Sequence, residues 1–186
     1  MLKLISKIVL GFLVQGFIVL CFVVQGFAQS EPVIIFENNL VPDTLGADLL
    51  TNGNMELNSN WTAYQMEGGD ISEQSTTQKH GGSYSWHISV DAGDEGIYSD
   101  DISVTAGTIY YISYWVYSID GALFSMTGYY GNYSTGYDPK EPPIGVWTNY
   151  IKQVTASGTG SEKFLIHSLT TATEFYIDDV TIRPKL

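Results

Sequence analysis

The chain has 186 residues, with 20 Asp and Glu against 8 Lys and Arg, a formal charge of −12, and 13 Tyr, 8 Phe and 4 Trp. That balance makes nucleic acid and anionic membrane surfaces poor candidates as partners, since both need a basic footprint. It also counts against cleavage of acidic polysaccharides, because neutralising a substrate carboxylate takes cations and the one arginine, Arg183, stands beside Pro184.

Lys3 and Lys7 precede an apolar run from Ile8 to Val24 that closes on Gly26-Phe27-Ala28. This charged, apolar, small-residue order predicts a secretory signal peptide over 1–28, cut after Ala28. An uncleaved anchor is the alternative, the run being close to the ~18 residues that span a bilayer. Either outcome puts the remainder outside the cytoplasm, as a secreted or cell-surface protein. Cys21 falls inside the leader, so the remainder has no disulfide. At roughly 158 residues it is long enough to bury a core without one.

Residues 29–47 read as a lead-in, either a tether or an extra edge strand. Beyond them no amphipathic helical pattern occurs. Short runs rich in Val, Ile, Tyr and Thr, bounded by Gly, Asn, Asp and Ser, predict strands near 33–36, 48–57, 61–66, 70–75, 83–90, 96–104, 108–118, 122–130, 146–156, 162–169 and 173–183. Turn signals include Thr51-Asn52-Gly53-Asn54, His80-Gly81-Gly82-Ser83 and Ser157-Gly158-Thr159-Gly160. This spacing predicts an all-β sandwich or barrel, and one domain over 48–186. In the stretch Thr108 to Ser118, alternation puts Tyr110, Ile112, Tyr114 and Val116 on a core face. Tyr111, Ser113, Trp115 and Tyr117 then share the half-exposed one.

Five blocks in order carry a resemblance. They are Leu49-Leu50-Thr51-Asn52-Gly53-Asn54-Met55-Glu56 followed by Trp61, Gly81-Gly82-Ser83-Tyr84-Ser85-Trp86-His87-Ile88, and the run Val104 to Val116. Gly145-Val146-Trp147-Thr148 and Phe175-Tyr176-Ile177-Asp178-Asp179-Val180-Thr181-Ile182 complete the set. Together they resemble the carbohydrate-binding modules of families 4, 9, 16 and 22, with Met55 where those have Phe. The resemblance implies a galactose-binding-like jelly-roll β-sandwich of two antiparallel sheets, and a non-catalytic protein that binds a polysaccharide or glycan on an aromatic-lined concave sheet.

Alternation places Tyr176, Asp178, Val180 and Ile182 on one face, so Asp178 points inward and needs a partner. The resemblance implies that this partner is a structural Ca²⁺, held by Asp178, Glu56 and oxygens near Gly82 and Ser83. Pyranose C–H faces pack on aromatic rings in such modules. The binding candidates are accordingly Tyr111, Trp115, Tyr117, Trp86 and Tyr98, with Gln74, His87 and His167 as polar helpers. Trp61 and Trp147 are expected in the core. The segment Thr127 to Pro143, with Tyr129, Tyr130, Tyr133 and Tyr137 among Gly, Asn and Ser, has the make-up of an adaptable recognition loop.

His80, His87 and His167 are too scattered for a zinc site, and no catalytic triad or phosphate loop is present. A monomer is expected, with a carbohydrate-active enzyme as a possible associate. Two other readings compete with sugar binding. One is a structural or adhesion sandwich without a sugar site. The other is a small lyase or hydrolase, which would need a Tyr, His or carboxylate pair near a cation.

Overall fold

The computed structural model describes residues 33–37, 44–136, 138–169 and 171–186. The leader expected over 1–28 lies outside the described residues. Cα packing divides the chain into Met1–Ser30 and Glu31–Leu186, and everything below concerns the second unit.

In chain order the strands are β1 (Val33–Glu37), β2 (Trp61–Tyr64), β3 (Ile71–Ser75), β4 (Ser85–Ala92), β5 (Gly96–Ser99), β6 (Ile102–Val104), β7 (Ile109–Ser118), β8 (Phe124–Gly128), β9 (Trp147–Thr155), β10 (Gly160–Glu162), β11 (Phe164–Ser168) and β12 (Thr171–Pro184). They form a six-stranded sheet in the order β1-β9-β7-β12-β4-β3, a four-stranded sheet in the order β2-β5-β11-β8, and a β10-β6 pair. Pairing is antiparallel except where β1 runs parallel to the edge of β9. This is a jelly-roll sandwich.

The core lies between the two larger sheets. From β7 come Tyr110, Ile112, Tyr114 and Val116, as alternation predicts; β4 supplies Trp86, Ile88 and Val90; the smaller sheet supplies Trp61, Ile97, Phe124, Phe164 and Ile166. Rings lock the layers together: Tyr114 meets Phe164 at 5.6 Å edge-on, and Phe124 stacks on Phe175 at 5.7 Å. Full burial of such side chains contributes about 1.5–3 kcal/mol each.

Three local departures matter for function. Residues 48–57 are not a strand. The Asn52 side chain accepts from Leu57 N–H at 2.8 Å and donates to Leu57 and Ser59 carbonyls at 2.7 and 2.8 Å, closing a loop in which Asn52 and Met55 take φ of 55° and 56°. The expected strand 96–104 splits at Asp100-Asp101 into β5 and β6, which belong to different sheets.

In β12 the register against β7 shifts between Asp178 and Thr181, where Asp179 has φ of 46°. That bulge inserts one extra residue. Asp178 therefore faces away from the core with Tyr176, while Val180 and Ile182 join the core. The expectation that all four share a face is corrected.

Candidate functional site

The outer face of the four-stranded sheet carries a cluster of tyrosines. In β2, Trp61 turns into the core, so alternation turns Tyr64 outward. Opposite Tyr64 stands Gly96, which also faces His167 across β11. A Cβ at Gly96 would come 2.0 Å from the Ile166 carbonyl, so glycine lets these strands close up. Tyr64 and His167 then meet edge-on with centroids 6.3 Å apart.

Tyr98 on β5 and Tyr129, just past β8, complete a triangle with Tyr64. Their centroids lie 5.9 Å (Tyr64–Tyr129), 5.1 Å (Tyr98–Tyr129) and 6.4 Å (Tyr64–Tyr98) apart. Tyr130 extends it, 5.0 Å from Tyr129. The Lys163 ammonium lies 4.3 Å from the Tyr98 ring centre and 5.9 Å from those of Tyr129 and Tyr130. Tyr129 is 42% and Tyr130 52% exposed, so the cluster opens to solvent instead of closing on itself.

The loop bearing Tyr129 and Tyr130 is set by one buried acid. Glu162, fully buried, accepts main-chain N–H groups from Tyr130 and Asn132 at 2.7 Å each, Lys163 at 2.9 Å and Tyr133 at 3.3 Å. Gly128 is obligatory beneath it, since a Cβ there would sit 2.6 Å from Glu162 Oε2 and 2.7 Å from the Tyr133 carbonyl.

Polar groups rim the other side. Asp94 accepts from Gln65 Nε2 at 2.8 Å and pairs with His167 Nδ1 at 3.1 Å. Burial holds the His167 imidazole below its ordinary pKa against the pull of the Asp94 charge, which keeps the ring neutral. Burial, then the Asp94 charge, push the Tyr64 phenol up, so its hydroxyl remains a hydrogen-bond donor near neutrality.

The sequence-derived candidates fall in three places. Tyr98, His167 and Tyr130 meet in this cluster. Trp115, Tyr117, Tyr111 and His87 lie on the opposite side of the sandwich, on the outer face of the six-stranded sheet. Tyr111 is buried there, its hydroxyl donating to Gln153 at 2.8 Å. Trp86 is corrected to the core: it is buried, and its indole N–H donates to Ser72 Oγ at 3.0 Å. Gln74, cross-strand from Trp86, donates to the Met55 carbonyl at 2.7 Å and so ties the N-terminal loop to β3.

Trp61 is in the core as expected. Trp147 is not, because β9 turns Thr148 and Tyr150 inward and Trp147 outward. Tyr133 is fully buried, and Tyr137 lies outside the described residues. Tyr64 and Lys163 were missed; alternation from Trp61 was the available signal for Tyr64.

Asp178 and Glu56 both reach the turn at 80–84, from the last strand and the N-terminal loop. Asp178 Oδ2 accepts from His80 N–H at 2.9 Å and Gly81 N–H at 3.1 Å, and Oδ1 from Asp179 N–H at 2.7 Å. Glu56 Oε1 accepts from Ser83 N–H at 2.7 Å and Tyr84 N–H at 3.1 Å, lying where a Gly82 Cβ would be. Main-chain N–H donors converge on these carboxylates and clip the turn to both segments without an ion. Among the described residues, three carboxylates bring oxygens within 4.8 Å of one another at Asp70, Asp91 and Glu95. There too, Asp70 and Glu95 accept main-chain N–H groups.

A family model described as a carbohydrate binding domain matches residues 47–172. Among curated proteins no sequence relative matches. The CBM22-1 xylan-binding domain of Paenibacillus barcinonensis Xyn10C is similar in structure, with a TM-score of 0.54 and 18% identity over 77% of this chain and 97% of that one. TmCBM61 in complex with β-1,4-galactotriose gives 0.52 and 15% over 75% and 100%. The CBM22-1-GH10 modules of Clostridium thermocellum xylanase 10B give 0.58 and 17% over 78% of this chain and 29% of that one.

Proposed function

The chain belongs to the family of carbohydrate binding domains, and from that premise we propose that it holds a polysaccharide, without cleaving it, on the Tyr64–Tyr98–Tyr129–Tyr130 face. The observation that carries this reading is four contiguous tyrosine rings on one sheet, two of them about half exposed. Pyranose C–H groups pack on such rings. The Lys163 ammonium, the neutral His167 and the Tyr64 hydroxyl supply hydrogen bonds that orient the sugar.

The acids beside the face have other employment. Asp94 is bonded to Gln65 and His167, Asp101 lies 3.6 Å from Lys163, and Glu162 is enclosed by its loop. A retaining or inverting glycosidase needs two carboxyls free to flank the scissile bond, which supports the non-catalytic reading. The ligand class is a neutral β-1,4-linked chain such as xylan or galactan, the sugars named for the similar modules. In this proposal the leader at 1–28 exports the module, which works as a monomer beside a glycoside hydrolase.

Calorimetry with xylohexaose and galactotriose tests it. Tyr98→Ala and Tyr129→Ala are each expected to weaken binding about tenfold, the loss typical of a stacked aromatic contact. Wild-type affinity in both variants, or no heat with any neutral glycan, overturns the reading. This reading does not require calcium. The turn at 80–84 is clipped by main-chain hydrogen bonds, so thermal melting with and without a chelator is expected to give one midpoint. A fall on chelation that added calcium reverses would restore the ion.

A further inference from the structure

The outer face of the six-stranded sheet carries a second aromatic surface that the proposed site leaves unused. Register aligns Trp147 on β9 with Tyr117 on β7, Tyr117 with Tyr176 on β12, and Tyr176 with His87 on β4. The rings form a continuous band, in which Tyr176 is buried. His87 stacks on Tyr176 at 4.4 Å, Tyr176 meets Tyr117 at 6.3 Å, and Tyr117 meets Trp147 at 5.6 Å. Trp147 lies 5.7 Å from His80, which stacks on Trp115 at 3.8 Å. His80 is fixed there by Asp179, 2.7 Å from its Nδ1, and His87 by Glu174 at 3.0 Å.

The four tryptophans divide by what their indole N–H groups do. Trp61 donates to the Asn52 carbonyl and Trp86 to Ser72 Oγ, each at 3.0 Å, and both are core residues. Trp115 and Trp147 are half-buried, and among the described residues neither indole N–H meets a protein acceptor. His80 covers one face of Trp115, so it is the partly exposed Trp147 and Tyr117 rings that offer C–H contacts, with the two indole N–H groups as donors to hydroxyl oxygens. Glu73, cross-strand from His87, and Glu174 and Asp179, paired with His87 and His80, give the band a negative border that disfavours phosphate and uronate chains.

We propose that this Trp115–Trp147–Tyr117 surface is a second site for a neutral glycan chain, back to back with the first. The proposal rests on the carbohydrate-binding reading above and extends it from one chain to two. A module with sites on opposite faces can join two polysaccharide strands, or gain avidity by taking two stretches of one.

Tryptophan emission discriminates the two faces, because the first holds none of the four tryptophans. Titration of the wild-type protein with xylohexaose is expected to change the emission saturably, and to change it equally in a Tyr98→Ala/Tyr129→Ala variant. Calorimetry is expected to count two sites in wild type, and one in either that variant or Trp115→Ala/Trp147→Ala. One calorimetric site, removed by the tyrosine substitutions and silent in emission, overturns this proposal and leaves the first face standing. One site seen in emission and untouched by the tyrosine substitutions sinks the first face alone. Absence of heat and of emission change sinks both. The wild-type titration decides even where the tryptophan variant misfolds.

Discussion

Replacing Glu162 with alanine is expected to lower folding stability by about 3–5 kcal/mol, and to abolish glycan binding on the tyrosine face at temperatures where the variant is still folded. Four main-chain N–H groups end on this one fully buried carboxylate. A buried donor left without a partner costs about 1–3 kcal/mol, and water admitted to the hole would relieve part of the total. The binding loss has a separate cause. Glu162 sets the path of the main chain from Tyr130 to Tyr133, and Tyr129 touches both Tyr64 and Tyr98 from the start of that path. Glu162→Gln keeps the volume and one acceptor oxygen but turns an NH₂ toward donors, so about half the stability loss is expected. Urea unfolding gives the stability and calorimetry at low temperature the binding. An alanine variant that unfolds with the wild-type midpoint, or binds xylohexaose as wild type does, refutes this account of the loop.

The sandwich was readable because burial alternates along uninterrupted strands. β7 shows this best, since its ten residues contain neither Gly nor Pro and four consecutive inward positions are large and apolar. Alternation failed where the backbone leaves the pleat. The positive φ at Asp179 inserts a residue into β12, and nothing in Asp178-Asp179 announces which of the two carries it. The loop at 48–57 looked like a strand from Leu49 and Leu50, but the Asn52 side chain satisfies the local main chain better than a sheet partner would.

The site candidates were limited differently. Alternation tells inward from outward within one strand, yet it does not tell which of two sheets the strand enters. Trp115 and Tyr98 were both candidates for one sugar-binding face, and the topology sends them to opposite sides of the sandwich. Trp147, like Trp61, was expected in the core on the strength of the family resemblance alone. The strand start at Trp147 sets its parity, and the neighbours Thr148 and Tyr150 take the inward positions.

Stability is expected to fall as pH rises from about 4 to about 6, by at most about 3 kcal/mol, through Asp178. Burial raises its carboxyl from an ordinary 3.8 to about 6, the Asp179 charge adds to the rise, and the Gly81, His80 and Asp179 N–H groups oppose it. The folded protein therefore binds this proton more tightly than the unfolded chain. Its contribution is fully present below pH 3.8, is lost between 3.8 and about 6 as the folded carboxyl ionises, and changes no further above that. Asp138 works the other way. Burial raises its pKa, but hydrogen bonds and charge from Lys140 and Lys152 prevail and hold it below the ordinary value. It therefore stabilises above its unfolded pKa and loses that contribution as pH falls. The two opposed slopes make the wild-type profile alone ambiguous, and Asp178→Asn separates them. The amide does not titrate, so the fall between pH 4 and 6 is expected to vanish while the acid-side loss from Asp138 remains. Asn also turns an NH₂ against one of the N–H donors, an offset of about 1–3 kcal/mol at every pH, so the slope and not the level is the readout. Urea unfolding of both proteins at half-unit pH steps supplies it. Parallel profiles would mean that the three N–H groups outweigh burial and that the 80–81 turn holds an ionised carboxylate across the whole range.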